Sequence, residues 1–304
     1  MPWPRIFSAI VAIALALGML FLGGWYFAVG CGAIVFLGQL EYFQLARAKG
    51  MAPATKTTLF VSQLLIITAA LAPQLTDAVF PLAGTLICFY LLFQPKFASI
   101  GDISTSILGL FYGGYLPSYW VRLRLELAPA AAAESNSPEV ASGAIAHYLD
   151  FNSNWLNAWQ HPTTLSQGLT ITCLAFSCIW AADIGAYVIG KFFGRTRLSD
   201  ISPKKTVEGA VFGVLGSVAV GVAGAWYLQW PVWEASGTGL GLMIGIVSLL
   251  GDLTESMMKR DAGVKDSGQL IPGHGGILDR IDSYVFTAPL VYYFVTLLLP
   301  LFKA

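Results

Sequence analysis

The sequence predicts an all-α fold, a polytopic integral-membrane bundle of about nine transmembrane helices, and three observations carry that prediction. Hydrophobic residues make up 56% of the 304-residue chain and charged residues only 11%, with a mean hydropathy of +0.67. Apolar runs of about 17 to 23 residues recur along it, long enough to cross a hydrocarbon core of about 30 Å as helices. The few charges are gathered rather than spread: residues 252–282 carry ten of the 34 and one of the three histidines. A soluble domain is excluded by that composition. The net charge is zero, and no nucleic-acid partner is expected.

Nine spans are expected near 6–23, 25–45, 57–73, 77–94, 100–120, 168–190, 207–229, 237–255 and 284–302. Each is expected to be a helix, because a backbone in hydrocarbon must satisfy its hydrogen bonds within the segment. The first follows Arg5 and imitates a secretory signal, but its apolar run is too long and lacks a small-residue cleavage site. Arg47, Lys49 and Lys56 follow the second span and Lys96 the fourth. Lys191, Arg195, Arg197, Lys204 and Lys205 follow the sixth, and Lys259, Arg260, Lys265 and Arg280 the eighth. The positive-inside rule makes that common side cytoplasmic. Arg122 and Arg124, after the fifth span, fall on the wrong side; either they lie at the interface or the count fails there.

Three regions follow: N-terminal helices at 1–124, a polar connection at 125–167 and C-terminal helices at 168–304. The connection is rich in Ala, Pro, Ser and Glu, with a short helix expected near 139–150 and Trp155, Trp159 and His161 at the lipid interface. Cys31, Cys88, Cys173 and Cys178 all sit in apolar runs without metal-ligand spacing, so reduced thiols are expected. No internal repeat supports a transporter built from inverted halves.

Asp183 lies inside the sixth span, where a carboxylate is a functional candidate. On a helix it shares a face with Tyr187, Gly190 and Lys191. Gly185-x4-Gly190-Lys191 imitates a P-loop, but Phe192 stands where Ser or Thr is needed and the context is a membrane helix. Ser202 and Pro203 can begin a helix, placing Lys204, Lys205 and Thr206 at its N-terminal end as an anion site. The glycines of spans seven and eight are expected at helix-packing surfaces.

At the end of span eight, Asp252, Glu255, Ser256 and Lys259 recur at i, i+3, i+4 and i+7, along one helical face. Asp266 follows in the loop, and Asp279 and Asp282 open the ninth span. Carboxylates brought together from separate elements hold Mg²⁺, which shares its shell with substrate phosphates. Lys259, Arg260, Lys265 and Arg280 can neutralise phosphate oxygens. His274, between glycines, is a candidate phosphate donor, acid or positioning residue.

Residues 256–282, SMMKRDAGVKDSGQLIPGHGGILDRID, resemble the signature of the phosphatidate cytidylyltransferases: Ser-x-x-Lys-Arg, Lys-Asp, Pro-Gly-His-Gly-Gly and Asp-Arg-x-Asp in order. Asp-x-Gly-Ala-Tyr at 183–187, Ser-Pro-x-Lys-Thr at 202–206 and Gly-Asp-Leu-x-Glu-Ser at 251–256 extend the likeness over residues 180–285. The 125–167 connection is longer than the family leads one to expect. The resemblance implies that CTP and phosphatidic acid react to give CDP-diacylglycerol and pyrophosphate at a bilayer. It implies Asp252 and Asp279 as bridging metal ligands, helped by Asp183, Glu255 or Asp266, with Mg²⁺ and a K⁺ as second ion. Lys204, Lys205, Lys259, Arg260 and Lys265 would hold phosphates, Arg280 would pair with carboxylates or substrate, and Ser256 would bind an ion or phosphate. A homodimer in an inner or plasma membrane, with its site facing the cytoplasm, is the matching expectation. A transporter would spread charges over several spans, and a CDP-alcohol phosphotransferase would carry Asp-x-x-Asp-Gly-x-x-Ala-Arg, which does not occur here. A CTP-dependent lipid-alcohol kinase would release CDP instead.

Overall fold

The computed structural model describes residues 3–94, 97–126, 166–271, 273 and 275–303. The short helix near 139–150, Trp155, Trp159, His161, Lys96 and His274 therefore lie outside the described residues. Ten α-helices follow in order: α1 (Trp3–Leu22), α2 (Gly24–Ala48), α3 (Thr55–Leu71), α4 (Pro73–Leu92), α5 (Ile100–Leu110), α6 (Leu116–Glu126), α7 (Gln167–Phe193), α8 (Val207–Tyr227), α9 (Trp233–Asp261) and α10 (Leu278–Tyr293). A π-helical turn, Phe111–Tyr115, joins α5 to α6, and α10 runs on through Phe294–Leu298 and Leu299–Lys303. Among the described residues the result is nine helical rods, each within about six residues of an expected span. Six of the helices are long and apolar enough to cross a membrane. Their outer faces carry exposed Leu82, Phe89, Ile184 and Leu215, a distribution suited to lipid rather than water.

Helix α8 lies between α7 and α9, and the glycines make that packing possible. A Cβ at Gly213 would stand 2.6 Å from the carbonyl oxygen of Ala182 on α7, and one at Gly241 would stand 2.6 Å from that of Ser217 on α8. Backbone approaches backbone here, as in small-residue membrane interfaces. The N-terminal helices share a core with the C-terminal ones: Phe27, Val121 and Leu123 cluster with Cys178, Ile179, Leu240 and Ile244, all buried. Polar bonds tie the helices together inside the bundle. Gln39 Nε2 donates to Ser62 Oγ at 2.7 Å and to the Gly109 carbonyl at 2.8 Å. Trp120 Nε1 donates to the Tyr284 carbonyl at 3.0 Å. All four cysteines are free thiols.

Two expectations change. Arg122 and Arg124 are buried within the bundle, and the described residues form as many helical rods as the spans expected. Arg122 is only 5% exposed; it ion-pairs with Asp77 at 2.9 Å and donates to the Tyr292 hydroxyl at 3.1 Å. Arg124 is also buried, its Nε donating to the Leu20 carbonyl at 3.1 Å. Secondly, α8 starts at Val207 and not at Ser202, because Thr206 is the residue that caps it, accepting from the Gly209 amide at 3.1 Å. Residues 196–207 fold back on themselves first, with Leu198 N bonded to the Lys205 carbonyl and Val207 N to that of Thr196, each at 2.9 Å.

Replacing Gly241 with Ala should destabilise the protein by about 1–3 kcal/mol, since neither backbone can retreat without disturbing the α8–α9 seam. A lower melting temperature in detergent would show it; an unchanged one would mean that the seam is loose.

Candidate active site

The charged ends of α7, α9 and α10 and the loop before α8 converge on one cavity of about 950 Å³. From α7 the expected face arrives intact: Asp183, Tyr187, Gly190 and Lys191 all line it. The 196–207 turn brings Ser202, Lys204, Lys205 and Thr206; α9 brings Asp252 and Lys259; the following loop brings Asp266; and α10 brings Asp279, Arg280 and Asp282. The turn is steadied by Glu208, whose carboxylate accepts from the Arg195 and Thr196 amides at 3.1–3.2 Å. Lys205 thereby reaches across to ion-pair with Asp252.

On α9 the i, i+4 spacing produces two side-chain contacts. Ser256 Oγ donates to Asp252 at 3.4 Å, and Lys259 ion-pairs with Glu255, which is fully buried. Lys259 also reaches Asp279 at the start of α10, at 2.5 Å. Asp279 is further occupied: its Oδ2 accepts from the Ser267 amide at 3.0 Å, the Ser267 hydroxyl at 3.0 Å and the Gly276 amide at 2.8 Å. Gly275, at φ +82°, makes this wrap possible, since a Cβ there would lie 2.8 Å from the Asp279 carboxylate.

Among the described residues, Asp252, Glu255 and Asp282 form the group of three acids whose oxygens all lie within 4.8 Å of one another. Asp279 stands one helical turn away, engaged with Lys259 and the loop. Asp183 and Asp266 line the cavity outside that group of three. Arg260 and Lys265 are exposed and do not line it; Arg260 instead donates to the Val264 carbonyl at 3.1 Å. Asp282, which closes the Asp-Arg-x-Asp pattern, joins the candidate ligands although its spacing alone did not single it out. Glu41 on α2 was passed over, as a lone acid inside an apolar span.

The donor set suits a hard divalent cation. Three carboxylates face one another with Lys205 and Lys259 as their ion-paired ammonium neighbours, so the group keeps an excess of negative oxygen. Lys204, Lys205 and Arg280 on the same cavity supply the opposite charge for an anionic ligand.

Apolar rods enclosing an acid- and lysine-lined cavity define a membrane protein with a site built for ions and polyanions. The chain belongs to the cytidylyltransferase family, whose model matches residues 3–298. It is 66% identical over 300 residues to a phosphatidate cytidylyltransferase of Synechocystis sp., covering 99% of this chain and 98% of that one. It is 41% identical to phosphatidate cytidylyltransferase 4, chloroplastic, of Arabidopsis thaliana, over 96% of this chain and 73% of that one. A phosphatidate cytidylyltransferase of Haemophilus influenzae is 32% identical, over 95% and 97% of the two chains. Membership of this family points to a divalent-metal requirement.

Replacing Lys259 with Met would leave Glu255 and Asp279 without their shared counter-charge, at a cost of about 3–5 kcal/mol. Unfolding of purified protein in detergent, followed against denaturant, should show that loss. A variant as stable as wild type would mean that the two acids shed their charge without penalty.

Proposed function

We propose that this chain is a phosphatidate cytidylyltransferase, an integral-membrane nucleotidyltransferase that joins CTP and phosphatidic acid into CDP-diacylglycerol and diphosphate. The observation that carries the reading is the meeting of Asp252 and Asp282, backed by the buried Glu255, with Lys204 and Lys205 at one cavity among apolar helices. Kinship with three proteins of that name supports it. A phosphatidate oxygen, ionised at neutral pH, attacks the α-phosphorus of CTP; the bond to the β-phosphate oxygen breaks and diphosphate leaves. No strong general base is needed. The demand is to bring two anions together and to stabilise the charge on the leaving group.

In this reading Asp252, Glu255 and Asp282 hold a divalent ion, proposed to be Mg²⁺, with K⁺ as a second ion. An ion held there would supply positive charge to screen the phosphates and the leaving diphosphate. Lys204 and Lys205 orient the triphosphate, and Arg280 meets one of the phosphates from the opposite wall. Lys259 holds Glu255 and Asp279 in place from below. Ser256 keeps the Asp252 carboxylate turned inward. The acyl chains stay in the bilayer beside the apolar helices. The cytoplasmic side is proposed for the site, since Arg47, Lys49, Lys191, Lys204, Lys205, Lys259 and Lys265 gather at that end of the bundle, where Lys49 ion-pairs with Asp261 at 3.0 Å.

Purified protein given labelled CTP and Mg²⁺ should move label into the organic phase only when phosphatidic acid is present and EDTA is absent. Label in CDP and a phosphorylated lipid alcohol would instead mean a kinase. Asp252→Asn should abolish turnover while the protein still inserts and purifies; wild-type turnover would remove Asp252 from the ion site. Lys204→Ala with Lys205→Ala removes charge-assisted contacts of about 1.5–3 kcal/mol each. The KM for CTP should therefore rise at least about tenfold, and an unchanged KM would move the triphosphate elsewhere.

A further inference from the structure

Helix α2 belongs to the N-terminal region, away from the signature motifs, yet it sends one carboxylate to the foundation of the site. Glu41 is 5% exposed, deep enough that an unsatisfied charge there would be costly. Its oxygens are fully engaged. Oε1 accepts from the Ile277 amide at 3.0 Å; Oε2 accepts from the Leu278 amide at 2.8 Å and lies 3.0 Å from the Ser267 hydroxyl. Ile277 and Leu278 open α10, so a full negative charge sits against the positive end of that helix and takes two otherwise orphaned amides. The Ser267 hydroxyl lies equally close, 3.0 Å, to Asp279 Oδ2, so its single proton is shared between the two carboxylates.

The surrounding glycines fit this role. A Cβ built at Gly276 would collide with both the Ser267 hydroxyl and the Glu41 carboxylate, and one at Gly268 would collide with Glu41. The loop is shaped around that side chain. A continuous path of polar contacts then runs from Glu41 through Ser267 to Asp279, on to Lys259 and Glu255, and so to the acids facing Asp252 and Asp282.

We infer that Glu41 is a positioning residue for cytidylyl transfer: from α2 it fixes Ser267, Ile277 and the first turn of α10, and through them the placement of Asp279 and Lys259. It touches neither substrate nor ion. The inference rests on the site proposed above. A glutamine is the informative replacement, because it keeps size and shape but turns one acceptor oxygen into a donor. That donor must face the Ile277 amide, or the Leu278 amide and the Ser267 hydroxyl, so contacts are lost without a cavity.

Glu41→Gln, purified in detergent, is expected to keep a cooperative thermal transition and to lose kcat about 10–100-fold, the usual effect of removing a support behind an ion site. The KM for CTP should stay within about threefold, since Lys204 and Lys205 hang from a different turn. Ser267→Ala should lower kcat in the same way, and the double variant should lose less than the product of the two single losses, because both act on one loop. Wild-type kcat in Glu41→Gln, a KM that rises in step with the fall in kcat, or strictly multiplicative losses would each overturn the inference. If Glu41→Gln does not fold, Ser267→Ala decides alone: kcat within about twofold of wild type, at equal KM, overturns it. Asp252→Asn, run in parallel, separates the two readings. Wild-type turnover there sinks the site itself, whereas an inactive Asp252→Asn beside a fully active Glu41→Gln removes only the role of Glu41.

Discussion

The ammonium of Lys259 is the interaction on which the polar end of the molecule depends. It is 8% exposed and stands between Glu255 on its own helix and Asp279 on the next. Isolated charges at such depth are not tolerated, so each of the three exists because of the other two. The triad also fixes distance: α9 and α10 cannot part at this end without separating opposite charges in a poorly solvated place. That stiffness carries Asp252 and Asp282 into register across the seam. The stability of the bundle end and the geometry of the cavity are therefore one property.

The two ends of the bundle solve the same electrostatic problem with different results. At the far end, Arg122 meets the exposed Asp77 and is flanked by the rings of Tyr119 and Tyr292 at 4.8 and 4.5 Å, so the guanidinium is neutralised by one acid and covered by aromatic faces. At the near end the acids outnumber their ammonium partners and border open volume, so the charge remains available to ligands. A matched pair contributes architecture; an open cluster contributes chemistry.

The nine rods could be read from the chain because hydrocarbon allows few backbone solutions, and long apolar runs with glycine punctuation leave a plain record of them. The face of α9 that carries Asp252, Glu255, Ser256 and Lys259 was equally legible, since helical spacing alone aligns it. Spacing could not choose between Asp279 and Asp282. They are the same residue type one turn apart, and only the position of α9 decides which meets Lys259 and which joins Asp252. Glu41 was hidden for a different reason: its partners lie 226 to 237 residues further along the chain. Arg122 misled a count of basic residues because its neutralising acid is 45 positions upstream. The start of α8 slipped because Ser202 and Thr206 are both fit to cap a helix, and the fold-back of residues 196–207 makes the choice.

The π-helical turn at Phe111–Tyr115 sets a constraint of another kind. A π turn holds roughly one residue more than an α turn, so the helix beyond it is rotated by about 100° relative to the helix before it. Before the turn, Ser106 receives the Ala54 amide and Gly109 the Gln39 side chain; beyond it, Tyr119, Trp120 and Arg122 meet Asp77, Tyr284 and Tyr292. Both sets of partners are met only with that extra residue in place. Sequence drift can thus exchange side chains along this rod one at a time, but it cannot shorten the rod by a single position. An insertion or deletion here would have to be matched by rebuilding one whole face, so the contacts of Ser106 and Arg122 fix the number of residues between them.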